Sequence, residues 1–219
     1  PITHLIRSDL AKYGVKIADL NPTQIEPPPI ASIIVTPAIG DRAVVSIAAP
    51  KIEHNINQIL TAVDLQADII LIDGHQITAG YAIALEAKKH HIPVVIDGGS
   101  WKPGFEKILP LVDYAICSAN FHPPNCHNSA ETIAYLAACG IPHIAITQGE
   151  KPILYSSRGV CNQLPIPQIQ PVDTMGAGDV FHGAFCHYIL QQDFTDALTA
   201  ATKIASHSCQ FFGTRQWMT

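Results

Sequence analysis

Four short apolar runs, Asp68–Asp73 (DIILID), Val94–Asp97, Tyr114–Cys117 and His143–Thr147, alternate along this chain with stretches patterned as helices. Each run is apolar at successive positions and too short for a helix, so both of its faces must be covered. Strands of that kind belong to a parallel sheet lying between helices. The connecting stretches fit this arrangement. Glu53–Val63 precedes the first run, and Ile77, Tyr81 and Leu85 recur at intervals of four and mark one helix face. Phe105–Leu109 reads as a brief helix and Ser129–Cys139 as a longer one. The order dictates an α/β fold with a mostly parallel central sheet.

The flanks are patterned differently. Upstream, an amphipathic stretch from Leu5 to Tyr13 meets Gly14, a usual helix stop, and Asn21–Pro29 is a proline-rich loop. Two β-rich runs, Ala31–Thr36 and Arg42–Ala48, joined by Pro37-Ala-Ile-Gly-Asp41, predict a hairpin. Downstream, Pro152–Ser156 and Gly159–Leu164 predict an antiparallel pair around Ser157-Arg158. Two helices close the chain. Ala177–Leu190 places Val180, Phe181, Ala184 and Tyr188 on one side, and Thr195–Phe211 does the same with Leu198, Ala201, Ala205 and Cys209.

Composition narrows the function classes. The 219 residues suit one domain, and 47% hydrophobic with 14% charged residues excludes intrinsic disorder. A net charge of −5 offers no broad basic surface for nucleic acid or anionic lipid. No apolar run reaches the roughly 18 residues of a membrane helix. The six cysteines form no CxxC pair and read as reduced thiols of a cytoplasmic protein. His122-Pro-Pro-Asn-Cys126-His127 lacks the partners of a zinc site and reads as a polar loop.

The chemistry concentrates in Pro171–Phe185, which contains Met175-Gly-Ala-Gly-Asp179 at a helix start. Glycines there let the backbone approach a ligand, and the first N–H groups of a helix have no internal partners. Together with the positive end of the helix dipole, they form an anion site. A carboxylate in the same turn is a poor anion ligand but a suitable acceptor for a hydroxyl proton. Donors for a moving phosphoryl group beside a base are what phosphoryl transfer needs. Taken on the Gly-x-Gly alone, Asp179 is equally a helix-start carboxylate favoured by the dipole.

Asp173-Thr-Met-Gly-Ala-Gly-Asp-Val-Phe-His-Gly-Ala-Phe185 resembles the C-terminal signature of the ribokinase-like (PfkB) family of carbohydrate kinases. Gly14-Val15, Gly40-Asp-Arg-Ala-Val-Val45, Asp68–Gly74, Thr147-Gln-Gly149 and Ala197–Gly213 resemble further family segments in the right order. Ile72-Asp-Gly-His75 and the segment Asp113…Ser118 resemble the ketohexokinase-type branch. The resemblance implies one ribokinase-like three-layer α/β/α domain over 1–219, with residues 30–49 contributing a β lid. It implies an ATP- and Mg²⁺-dependent kinase acting on a small sugar or sugar-like substrate, with Asp179 as base. The amides of Gly176, Ala177 and Gly178 would be the anion hole. Thr147, Gly149, Ala201, Thr202 and Ala205 would meet the nucleotide, and Arg42 and His75 the substrate. Asp173 and Thr174 resemble a segment that surrounds a monovalent cation such as K⁺. Pairing of relatives through their lids implies a homodimer.

Departures qualify the resemblance. Ser118 and Phe121 stand where many relatives carry an Asn and a Glu that order the Mg²⁺ shell, and Glu150-Lys-Pro152 replaces a second glycine after Gly149. The chain opens at Pro1, and nothing in it resembles the family's first strand with its substrate-binding Asp or its Gly-Gly-Asn segment. The N-terminal substrate-binding portion, where the family's sugar specificity is largely written, is therefore expected to be absent. A binding or scaffold protein of the same fold without turnover, and a pyridoxal- or pyrimidine-type kinase, are the competing readings. Asp97, with Gly98-Gly99, either faces the site or turns the chain. Trp101 and Trp217 are expected to pack, and His182 to be structural.

Overall fold

The computed structural model describes residues 2–24, 28, 30–36, 41–46, 56–62 and 66–218. The chain divides into two compact units, Pro1–Asp64 and Leu65–Thr219.

The first unit holds α1 (Ile2–Ala11), the strands β1 (Ala31–Thr36) and β2 (Asp41–Ser46), and α2 (Ile56–Ala62). After α1, Gly14 takes φ of +70° and the Val15 amide returns to the Leu10 carbonyl at 3.2 Å. That left-handed ending favours glycine. β1 and β2 pair antiparallel from Ala31–Ser46 to Thr36–Asp41, as the hairpin signal required. The turn residues 37–40, the expected strand end at 47–48, and positions 53–55 and 63 of the expected helix lie outside the described residues.

The second unit is built on a six-stranded sheet. Its elements in chain order are β3 (Ile70–Ile72), α3 (Ile77–Lys89), β4 (Val94–Gly98), α4 (Phe105–Ile108), β5 (Tyr114–Ser118) and α5 (Ser129–Ala138). They continue with β6 (His143–Gln148), β7 (Lys151–Ser157), β8 (Val160–Leu164), α6 (Ala177–Tyr188) and α7 (Phe194–Ser208). The strand order is β3-β4-β5-β6-β7-β8. The first four strands run parallel, and β7 and β8 add antiparallel at one edge. The last hairpin turns one residue later than expected. Ser157 pairs with Val160, and Arg158 and Gly159 take φ of 49° and 84°, the paired left-handed turn that suits a two-residue hairpin loop.

Side-chain alternation along the parallel strands divides the interior in two. Val94, Ile96, Ala115, Cys117, Ile144 and Ile146 point to one face, where they meet Ala84, Ala87, Phe105, Ile108, Ile133 and Leu136. Val95, Ile116 and Ala145 point to the other, against Phe181, Phe185, Phe194, Leu198 and Ala201. Each parallel crossover advances in the same direction across the sheet, so right-handed connections put α3, α4 and α5 on one face. The opposite face is left for α6 and α7.

Two helix faces differ from the sequence reading. On α3 the buried positions are Ala79, Gly80, Ala82, Ala84 and Ala87, while Leu85 is 39% exposed. The helix lies so near the sheet that a Cβ at Gly80 would come within 2.8 Å of the Ile72 Cγ2, so small residues make the contact and Ile77 and Tyr81 flank it. On α6 the buried residues are Phe181, His182 and Phe185, with Val180, Ala184 and Tyr188 only partly covered. On that buried side Phe185 packs edge-on to Tyr114 and Phe194, at 5.6 and 5.9 Å between ring centroids. α7 buries Leu198, Ala201, Ala205 and Cys209 as its spacing predicted. Trp101 packs on Phe105, Phe121 and Tyr135, and the Trp217 indole N–H donates to the Thr214 carbonyl.

Candidate active site

Open parallel sheets bind ligands beyond the carboxyl ends of their strands. At that edge stand Asp73 after β3, Asp97 near the end of β4, Ser118 at the end of β5 and Thr147 near the end of β6. Neighbouring ends are tied together. The Ser118 hydroxyl donates to the Gly99 carbonyl at 2.8 Å and accepts from the Asn120 amide at 3.1 Å. The Thr147 hydroxyl donates to the Cys117 carbonyl at 3.3 Å, and Gly149 takes φ of +65° in the β6–β7 turn. Phe121 is buried among aromatic rings, so the position where relatives carry a Glu belongs here to the core.

Asp73 and His75 form a compact turn, the His75 amide donating to Asp73 Oδ1 at 2.9 Å, with the His75 side chain exposed. Gly74, at φ of +73°, lies flat against Phe105, where a Cβ would fall 2.3 Å from the ring. Lys102 Nζ donates to the Asp73 carbonyl at 3.2 Å and sits 5.7 Å from the Phe105 ring centroid. A cation therefore stands at the carboxyl edge beside His75. Nothing in its local sequence singles out Lys102.

The start of α6 is a tight, braced turn. Gly176 takes φ of +74°, and a Cβ on it would meet the Thr214 methyl at 3.1 Å. Both Asp173 oxygens are committed, Oδ1 to the Met175 amide at 2.9 Å and Oδ2 to the Gly213 amide at 3.0 Å. The carboxylate thus ties this turn to the segment after α7. Ala177 donates to the Thr174 carbonyl at 3.3 Å, whereas the amides of Gly176, Gly178 and Asp179 meet no backbone acceptor among the described residues. Asp179 is exposed in the first turn, its carboxylate without a cation or donor partner among the described residues. The turn therefore presents open donors next to an unneutralised carboxylate.

His182, one turn further along α6, is only 7% exposed. Its Nδ1 lies 2.7 Å from the Gly178 carbonyl, and its Nε2 lies 3.1 Å from the Ile116 carbonyl and 3.6 Å from Asp97 Oδ1. Asp97 thus faces α6. Sequence spacing left His182 as a helix-face histidine, because its partners on β4 and β5 are remote in the chain.

The remaining expected site residues fall elsewhere. Ala201, Thr202 and Ala205 are buried beneath α7, with the Thr202 hydroxyl donating to the Leu198 carbonyl at 2.7 Å, and they offer little open surface. Arg42 lies on β2 opposite Val35, in the first unit. All six cysteines are free. Burial pushes the Cys117 thiol up, and that of Cys186 up to about 11, so both remain thiols. Among the described residues no three His, Cys, Asp or Glu side chains converge as a metal cage, and no helix is long and apolar enough to cross a membrane.

The family model described as pfkB family carbohydrate kinase matches residues 2–218. The chain belongs to the PfkB family. Within it, a ribokinase of Bacillus subtilis (strain 168) is 30% identical over 135 residues, which cover 59% of this chain and 44% of that protein. The chain thus spans less than half the length of the curated ribokinases it matches. The PfkB fold is shared with a crystal structure of ribokinase from Thermotoga maritima, at a TM-score of 0.76 and 19% identity, covering 99% of this chain and 73% of that one. A structure of Arabidopsis thaliana ribokinase complexed with ribose and ATP gives a TM-score of 0.66 at 21% identity, covering 84% and 63%.

Proposed function

We propose that this PfkB-family chain transfers the terminal phosphoryl group of ATP to a hydroxyl of a small sugar or sugar-like substrate. The observation that carries the reading is the first turn of α6, where an exposed Asp179, without a partner among the described residues, adjoins the open amides of Gly176 and Gly178. In the proposed step the substrate oxygen forms a bond to the terminal phosphorus, and the bond to the bridging oxygen breaks. Asp179 takes the hydroxyl proton, and ADP leaves. The open amides, at the positive end of the α6 dipole, stabilise the charge spread over the phosphoryl oxygens. The Ala177 amide joins them once it releases the Thr174 carbonyl.

The nucleotide is assigned to the edge near Thr147 and Gly149, with Ala201, Thr202 and Ala205 as the wall behind the base. The substrate is assigned to the side of His75, where Lys102 adds a cation. Arg42, the lid role of the β1–β2 hairpin within a single ribokinase-like domain, the ketohexokinase-type branch and a homodimer enter through the resemblance alone. Mg²⁺ fits as an ion carried by the phosphates and water, since Phe121 is buried and no carboxylate cage converges among the described residues. With the Asp173 oxygens taken by amides, K⁺ at this segment would be held by backbone carbonyls.

Asp179→Asn is expected to lower kcat by about a hundredfold or more, the usual contribution of a positioned base, while an ATP analogue still binds. Undiminished turnover in a sugar-panel assay rules the assignment out. Analogue binding by the unaltered chain without product for any sugar favours a nucleotide-binding protein without turnover.

A further inference from the structure

His182 reaches three parts of the fold at once. Its Nδ1 contacts the Gly178 carbonyl inside the first turn of α6, its Nε2 contacts the Ile116 carbonyl in the middle of β5, and Asp97 Oδ1 of β4 stands 3.6 Å from the same nitrogen. The carbonyls accept only, so the ring spans them as a donor: a neutral imidazole donates to one, an imidazolium to both. At 7% exposure the ring has little water to exchange these contacts for. Phe181 and Phe185 anchor α6 through apolar and edge-on ring contacts further along the helix, with no hydrogen bond to the sheet. Among the described residues of α6, His182 alone ties its side chain by hydrogen bond to the parallel strands.

We propose that His182 is the positioning residue that fixes the height and rotation of the α6 first turn over the carboxyl ends of β4 and β5. It acts through the Ile116 link, which holds the turn that carries Gly178, whose amide faces the anion site. Asp179 follows directly and moves with it. The role assigned to this turn rests on the kinase reading above; the link between ring and sheet does not.

A displacement of about 1 Å in a reacting group lowers turnover on the order of a hundredfold. His182→Phe preserves the ring volume and removes every polar contact. We expect it to lower kcat, expressed per folded enzyme so that a smaller folded fraction does not count, about a hundredfold with KM for ATP changed less than about threefold. Hydrogen exchange of the peptide spanning residues 174–182 should accelerate at least tenfold in the same variant, with α7 unaffected. His182→Gln places an amide nitrogen as many bonds from Cβ as Nε2, can reach Ile116, and should recover most of both losses. If His182→Phe does not fold, His182→Asn, which reaches Gly178 but not Ile116, replaces it with the same expected losses. Exchange and kcat unchanged in the variant, or no recovery with Gln, overturns the proposal. If the unaltered chain shows no turnover, the kinase reading fails, and the exchange measurement still decides the role of His182.

Discussion

At the scale of single residues, environment outweighs identity. Two histidines illustrate the point, His182 linked between helix and sheet and His143 at the amino end of β6. His143 stacks on Tyr114 with ring centroids 5.2 Å apart, and its Nδ1 lies 3.1 Å from the Ser157 hydroxyl. Burial, and secondarily the Arg158 guanidinium, hold it below the ordinary histidine range. The folded protein therefore resists protonation of this ring more than the unfolded chain does. Its contribution is fully present above about pH 6.5, the unfolded value, and is lost as pH falls through the folded one. The thermal midpoint should accordingly drop between pH 7.5 and pH 5, and His143→Gln should flatten that part of the profile. A slope unaffected by the substitution would remove His143 from the account.

At the scale of elements, proximity is set by what is small. Replacing an exposed helical glycine by alanine normally gains about 1 kcal/mol. On α3 the sign should reverse, because a Cβ at Gly80 meets Ile72 at 2.8 Å and Ile108 at 3.3 Å, and overpacking a tight core costs about 1–3 kcal/mol. Gly80→Ala is expected to lower the thermal midpoint by a few degrees; a higher midpoint would refute the packing argument. The same contact explains where sequence reasoning stops. The parallel strands were legible because consecutive apolar residues need cover on both faces, and α7 because its large and small apolar residues share one stripe. The α3 face was not legible, since a pattern weighted by bulk points to Leu85 rather than to a row of alanines. Asp179 was legible because the glycine turn and the helix start are local. Lys102 and His182 were not, because their partners lie 29 and 66 residues away and only the fold brings them close.

At the scale of the molecule, the unit Leu65–Thr219 contains both halves of the sheet's interior and the helices that cover them. Expressed alone, it is expected to unfold in a single cooperative urea transition, which a gradual, sloping loss of signal would contradict. The strand order carries a different consequence, for the moment of synthesis. From β4 to β8 every strand pairs with the one made just before it, so the sheet grows at one margin while the chain leaves the ribosome. Its first face closes as it grows, because α3, α4 and α5 are translated between the strands they cover. The second face has no such companion. Val95, Ile116 and Ala145 stay bare until α6 and α7, which are translated after all six strands, arrive. A nascent chain stalled before residue 177 would expose a finished sheet with one greasy side, the form that a chaperone should grip and that a premature stop should send into aggregates.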